Sequence, residues 1–392
     1  AIYLMELSRP AMITILTDRQ IFILDEGVVD MGKRAYNFNA GPAALPLEVL
    51  EQAQEEFTDY RGIGMSIMEI SHRSKEYEEV NSETQQLFKE LLQLPDGYHV
   101  LFIQGGASLQ FSMVPMNFLA PGKAGNYVLT GSWADKAIQE ARKVGKVHIA
   151  ASGESSGFRK IPDPEEIQIS PDAAYLHITS NETISGSQFQ RYPDSGDVPL
   201  IADMSSDILS RSFDASRFAL IYAGAQKNLG PSGVTVVIIR EDMIQDAPKT
   251  LATMLKYETY VKNNSLYNTP PVFSVYMVNL VLKWIKRHGG IASMEQRNRE
   301  KANLIYGAID RSGGFYEGLV DPESRSLMNI TFKVRGEELE KRFLKEAEEN
   351  GFVGLKGHRS VGHIRVSAYN AVPYENCKAL AEFMTDFMKR NG

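Results

Sequence analysis

Short apolar runs recur between residues 98 and 239, each broken by small or polar residues. The pattern predicts strands at 98–103, 125–129, 146–150, 175–178, 200–202, 220–223 and 234–239, alternating with helical or loop stretches. That alternation is the signature of an α/β fold with a mostly parallel, doubly wound sheet. A helix is expected from 272 to 288, closed by Gly289 and Gly290. Beyond it the strand LMNITFKV, a helix over 337–350, the strand around HIRVSAY and a final helix describe a smaller α+β domain. We expect three regions: an N-terminal extension over 1–30, an entry segment and large domain over 31–285, and a small domain over 286–392.

Chemistry concentrates where the apolar runs end. The run 218–222 leads through AGAQKNLGPSG, a glycine-rich reversal, into the β-branched run VTVVII, which puts Lys227 at a strand end. A lysine there can be desolvated and can form an imine with a carbonyl cofactor such as pyridoxal phosphate (PLP). Alone, such a lysine reads as a solvated surface residue. Asp203 closes the run 199–202, 24 positions upstream. A carboxylate at the carboxyl end of a parallel strand faces the crevice where α/β proteins bind ligands, although it can equally serve as a cap. Further upstream, 100–103 runs into Gly105, Gly106, Ala107 and Ser108 and then an apolar helical stretch. Small residues there let backbone N–H groups approach an anion. Neither GxGxxG nor a P-loop GK[ST] is present, so a plain βα turn remains the alternative.

Composition narrows the class. The chain has 392 residues, 43% hydrophobic and 23% charged, enough for two domains with ordinary globular usage. A net charge of −7 gives no sign of a nucleic-acid partner, so anionic substrates must be captured by local arginines. Cys377 is the only cysteine, which excludes an internal disulfide framework and a cysteine-rich metal site and suits a reducing cytoplasm. No metal is expected. No apolar stretch approaches the roughly 18 residues of a membrane span.

The segments FNAGPAALP (38–46), SHRS (71–74), GGASLQF (105–111), TGSWADKA (130–137), SNETISG (180–186), ADMSSDILSR (202–211), AGAQKNLGPSG (223–233), YNTPP (267–271) and GHRSVGHIRVSAYNA (357–371) occur in that order. Through them the chain resembles the phosphoserine aminotransferase family, PLP enzymes of the aspartate aminotransferase superfamily (fold type I, class V), from about Asn37 onward. The resemblance implies transfer of the amino group of L-glutamate to 3-phosphohydroxypyruvate, giving O-phospho-L-serine and 2-oxoglutarate by a ping-pong mechanism. The pyridoxine-pathway acid 3-hydroxy-2-oxo-4-phosphooxybutanoate is a second acceptor it implies.

Roles follow residue by residue from that resemblance. Lys227 would hold the cofactor as an imine and shuttle the proton, and Asp203 would pair with the ring nitrogen. Trp133 would stack on the ring, while Thr183 would hydrogen-bond its hydroxyl. Ala107, Ser108 and Gln226 would take the cofactor phosphate, with Asn268 and Thr269 reaching the phosphate of the other subunit in a homodimer. Family members often carry a basic residue where Ser108 stands, so this cradle holds less charge. Arg365 would clamp the α-carboxylate, and His72, Arg73, His358 and Arg359 would form the phosphate or γ-carboxylate pocket. Arginine suits both tasks through its planar two-pronged donor set.

Rival readings keep the lysine and aspartate but change the pocket. A cysteine desulfurase needs a mobile active-site cysteine, and Cys377 falls in an expected C-terminal helix. An alanine:glyoxylate aminotransferase would need a different substrate pocket, and a non-enzymatic binder would be expected to lose Lys227 or Asp203. Residues 1–30 lie outside the family pattern, and Met31 is a natural start. Charged residues such as Glu6, Arg9, Asp18 and Arg19 interrupt that stretch as no signal peptide allows. Removing 1–30 should leave activity intact, and loss of soluble protein on truncation would overturn that expectation.

Overall fold

The apolar runs pair into one seven-stranded sheet. Its strands are β1 (Tyr98–Ile103), β2 (Ala124–Leu129), β3 (Lys146–Ser152), β4 (Ala173–Thr179), β5 (Leu200–Asp203), β6 (Leu220–Gly224) and β7 (Thr235–Arg240), matching the expected positions to within two residues. Their spatial order is β1-β7-β6-β5-β4-β2-β3. Neighbours from β6 to β3 are parallel, while β7 is antiparallel to both β6 and β1. Strands β1 to β6 therefore all point one way, and their carboxyl ends open on one edge.

The computed structural model describes residues 34–359 and 361–392, without the side chains of Gln245 and Asp246, together with the strands Ile21–Leu24 and Gly27–Asp30. By contacts the chain forms two units, Ala1–Tyr36 and Asn37–Gly392. In the first, Ile21–Leu24 and Gly27–Asp30 pair antiparallel. The rest of the expected extension lies outside the described residues. Among the described residues no helix is long and apolar enough to cross a membrane.

Successive side chains of a strand face opposite sides of its sheet, and both faces of this one are covered. Leu220 and Tyr222 join a core with Phe111 and Val114 of α3 (Gly106–Phe118) and Ile138 of α4 (Ser132–Val144). Ile221 and Ala223 face the other way, toward Leu87 and Phe88 of α2 (Lys75–Leu92) and Val278 and Leu282 of α6 (Val272–Arg287). The doubly wound α/β fold is the one expected. Shorter helices α1 (Leu47–Glu55) and α5 (Tyr257–Lys262) complete this part.

A three-stranded antiparallel sheet, β8 (Tyr316–Gly318), β9 (Asn329–Val334) and β10 (Ile364–Ser367), follows. It packs with α7 (Gly290–Asp310), α8 (Glu337–Glu349) and α9 (Tyr374–Asn391). The ring of Phe343 meets Tyr316, Phe332, Phe383 and Phe387. Cys377 is fully buried on α9, and burial pushes its thiol up to about 11.

Polar side chains join the two sheets where the site forms. The Asn181 amide donates to Ser206 Oγ at 2.7 Å and Asn329 Oδ1 at 2.8 Å, and its Oδ1 accepts from Ser326 at 2.6 Å. Lys301, buried on α7, donates to the carbonyls of Ala368, Tyr369 and Val372 at 3.1, 2.6 and 3.1 Å. That fixes the turn after β10. Within the turn, Asn370 N–H donates to Asn228 Oδ1 at 2.9 Å, one residue from Lys227.

Candidate active site

The parallel strands β4, β5 and β6 end in register, with Thr179 opposite Asp203 and Asp203 opposite Tyr222. The loops that follow carry Thr183, Ser205 and Lys227. Lys227 sits in the reversal between β6 and β7, and its Nζ donates to Thr183 Oγ1 at 2.7 Å. Burial lowers its amine, Asp203 and Glu182 oppose that shift, and Arg365 adds to it. Desolvation and a nearby cation favour the neutral, nucleophilic form of a lysine, and the carboxylates here temper that effect.

Asp203 is buried, and both hydrogen bonds to its carboxylate, from Ser205 N–H at 2.9 Å and Ser205 Oγ at 2.6 Å, fall on Oδ1. Burial raises its carboxyl, while Lys227 and Ser205 hold it down. Trp133, in the first turn of α4, presents its ring 5.0 Å from Lys227 Nζ, with Lys136 Nζ at 4.1 Å. Arg365 on β10 donates through Nη1 to the carbonyl of Thr183 at 3.2 Å. His358 is pushed down by burial and by the cations Arg365, Lys136 and Arg359. Positive charges from two chain segments, Lys136 on α4 and Arg359 and Arg365 near β10, thus act together on His358.

The cradle residues form the N-terminus of α3. Its first intrahelical bond runs from Leu109 N–H to Gly105 O at 3.3 Å, so the N–H groups of Gly106, Ala107 and Ser108 are free of helical partners. Gly105 takes φ of 98°, and a Cβ there would meet Leu109 at 2.7 Å, so only glycine suits the turn. Nothing lies within 4 Å of a Cβ built on Gly106. Asn268 lies at the rim, donating to Gln104 Oε1 of its own chain at 3.4 Å, and Thr269 beside it is exposed. Gln226 accepts from Ala43 N–H at 2.9 Å through its carbonyl.

The structure therefore brings Lys227, Thr183, Trp133, Asp203 and Arg365 together, with His358 electrostatically coupled to both Arg365 and Arg359. His72 and Arg73 stand apart, in the turn where Ser74 caps α2. Arg73 is exposed, and His72 Nε2 is shielded from solvent without a hydrogen-bond partner.

Two residues of the site escaped the sequence reading. Lys136 is one helical turn beyond Trp133, a spacing that puts both on one face. Glu182 is fully buried, accepting from Ala134 N–H at 3.0 Å, Trp133 N–H at 3.2 Å and Thr130 Oγ1 at 3.3 Å. The available signal was an acidic residue inside the otherwise small and uncharged SNETISG.

The residues present fit PLP by their own chemistry. A backbone anion cradle, a desolvated amine, a buried carboxylate with a free oxygen and an aromatic ring converge on one edge of the sheet. The shielded, unpartnered Nε1 of Trp133 and Nε of Arg365 leave donors unused.

A family model described as Aminotransferase class-V matches residues 35–380, and the chain belongs to that family, a PLP-dependent class of transferases. Within it, the phosphoserine aminotransferase of Niallia circulans is 65% identical over 362 residues, 92% of this chain and 100% of that protein. The solved phosphoserine aminotransferase of Bacillus circulans subsp. alkalophilus, also 65% identical, matches with a TM-score of 0.91 over 92% of this chain and 99% of its own. PLP-bound phosphoserine aminotransferase from Trichomonas vaginalis is 41% identical, with a TM-score of 0.85 over 90% of this chain and 99% of its own.

Burial raises the Glu182 carboxyl from the ordinary 4.5 to about 7, opposed by the N–H groups of Ala134 and Trp133 and by Lys227, and reinforced by Asp203. The folded chain then keeps a proton that the unfolded chain releases. This favours folding fully below about pH 4.5 and is lost as pH rises through 7. Relative to Glu182→Gln, the unfolding free energy should fall by about 3 kcal/mol from roughly pH 5 to pH 8. Parallel denaturant-unfolding curves for the two proteins across that range would contradict the assignment.

Proposed function

We propose that this aminotransferase moves the amino group of L-glutamate to 3-phosphohydroxypyruvate, yielding O-phospho-L-serine and 2-oxoglutarate, as a step of serine biosynthesis. The observation that carries the reading is the Lys227 amine, desolvated at a strand end between Thr183, Asp203 and Trp133, with Arg365 tied to the same threonine. The curated relative and the two solved relatives, all phosphoserine aminotransferases, support the substrate class.

Bound PLP would supply the electron sink for breaking a bond at the substrate α-carbon. Asp203 keeps the ring nitrogen protonated through its free oxygen. Lys227, once freed of its own bond to the cofactor, would carry the proton between the substrate α-carbon and C4′ of the cofactor. Thr183 fixes the ring hydroxyl, and Trp133 covers the ring and excludes water from one face. The N–H groups of Ala107 and Ser108, with Gln226, hold the phosphate. Arg365 orients the α-carboxylate common to donor and acceptor.

The distal anion falls to His358 and Arg359, joined by His72 and Arg73 of a second copy. One pocket serves the γ-carboxylate of glutamate and the phosphate of the acceptor in turn, the requirement of a ping-pong order. The phosphorylated four-carbon acid 3-hydroxy-2-oxo-4-phosphooxybutanoate carries the same two anions and fits the same reading.

A homodimer is part of this proposal, with Asn268 and Thr269 reaching the partner's cofactor phosphate. Leu47, Phe57, Met65, Met68 and Tyr267 leave 45 to 50% of their surface exposed, an apolar set that a second copy would cover. Residues 31–285 serve as the cofactor-binding domain and 286–392 as the small domain. The compartment consistent with this chemistry is the cytoplasm.

The visible spectrum of purified holoenzyme tests the reading. Its cofactor band should bleach with L-glutamate and return with 3-phosphohydroxypyruvate, and Lys227→Ala should abolish turnover. A band that ignores both compounds but bleaches with another amino acid would overturn the substrate assignment. Arg365→Ala should lower kcat/KM for donor and acceptor alike by about 30-fold to 1000-fold. A loss confined to one substrate would place the α-carboxylate clamp elsewhere.

A further inference from the structure

Glu182 reaches across the fold to serve a helix it does not belong to. The residue before α4 is Gly131, which provides no side-chain cap. The first turn of a helix has N–H groups with no partner in the helix, and a carboxylate placed there is favoured by the helix dipole. Glu182, 48 and 49 residues further along the chain, supplies the missing acceptor through Oε1 to Ala134 and Oε2 to Trp133. Thr130 adds a third donor at 3.3 Å.

The fit leaves no slack. A Cβ on Gly131 would come within 2.7 Å of Glu182 Cδ and 2.9 Å of Oε2. Gly131 has φ of 163°, extended backbone that any residue adopts, so the demand for glycine here is purely steric. The Trp133 ring has Phe111 at 6.5 Å as its aromatic neighbour and an indole N–H without a partner. Its backbone N–H is anchored on Glu182, while the ring itself packs on the core beside Phe111 and under Lys136.

The next residue completes the arrangement. The Thr183 hydroxyl accepts from Lys227 at 2.7 Å, and the Thr183 carbonyl accepts from Arg365 at 3.2 Å. Two consecutive residues on one loop thus hold the ring, the amine and the guanidinium.

We propose that Glu182 is a positioning residue for transamination: its carboxylate clamps the first turn of α4 and so sets the Trp133 ring at its working distance from Lys227. The proposal rests on the reading of Lys227 and Trp133 as the residues facing PLP. A ring out of place by about 1 Å misaligns the reacting atoms without removing any group that touches them, a change of the kind that can cost about 100-fold in rate.

The test uses Trp133 as its own reporter. The chain has two tryptophans, so a Trp284→Phe background leaves Trp133 alone. Glu182→Gln preserves volume but turns one acceptor oxygen into a donor against the helix N–H groups. Gly131→Ala displaces an unaltered Glu182 by steric contact.

In the holoenzyme both variants should retain PLP, lose part of the quenching of Trp133 fluorescence by the cofactor, and shift the pH midpoint of the cofactor's visible band. Both should lower kcat by about 10-fold to 100-fold, leaving KM for L-glutamate within about 3-fold. Wild-type quenching and an unshifted pH midpoint in either folded variant would overturn the proposal, even with a lowered melting temperature, because Glu182 would then only stabilise the fold. A parent protein that binds no PLP would overturn the reading of the site together with the proposal, which separates the two failures.

Discussion

Removing the Lys227 amine from water is the constraint on which the rest of the site depends. A lone buried ammonium is costly, and here Asp203, Glu182 and Asp207 offset the cost while Arg365 adds to it. Each carboxylate in turn needs donors. Asp203 draws on Ser205, Glu182 on the start of α4, and Asp207 on Ser180 together with the Gln188 amide at 3.0 Å. One half-buried charge therefore propagates into a polar network over three strand ends, and the loop 180–188 that carries much of it is buried almost throughout instead of running over the surface.

Much of this was legible in the amino-acid sequence because it rests on local pattern. The run Leu220–Gly224 is apolar on both faces, so it had to be an interior strand, and Lys227 just beyond it had to lie at an edge. Asp203 followed by the same logic. The SNETISG and TGSWADKA segments carried Thr183 and Trp133 through family resemblance, not through periodicity.

Other features were beyond local reading. The reversal after Lys227 was visible in AGAQKNLGPSG, but not that β7 inserts between β6 and β1. Strand order is a matter of which faces pack, and no single run encodes it. Glu182 escaped because its partners are 48 and 49 residues away, and a cap supplied from another segment leaves no mark beside its helix. His72 and Arg73 lie in the turn where Ser74 caps α2, and nothing in that local pattern places them beside the Lys227 group.

The cradle at the start of α3 has a consequence for how an anion would be retained. With serine rather than a basic side chain at position 108, the groups offered by Gly106, Ala107 and Ser108 are neutral N–H dipoles at a helix terminus. Mobile ions screen attraction between exposed full charges over about 8 to 10 Å at ordinary ionic strength, but they act weakly on short, directional hydrogen bonds. Retention by this cradle is accordingly set by geometry more than by the ionic strength of the medium, so adding salt would loosen its hold on a phosphate less than it would for a lysine-based or arginine-based pocket.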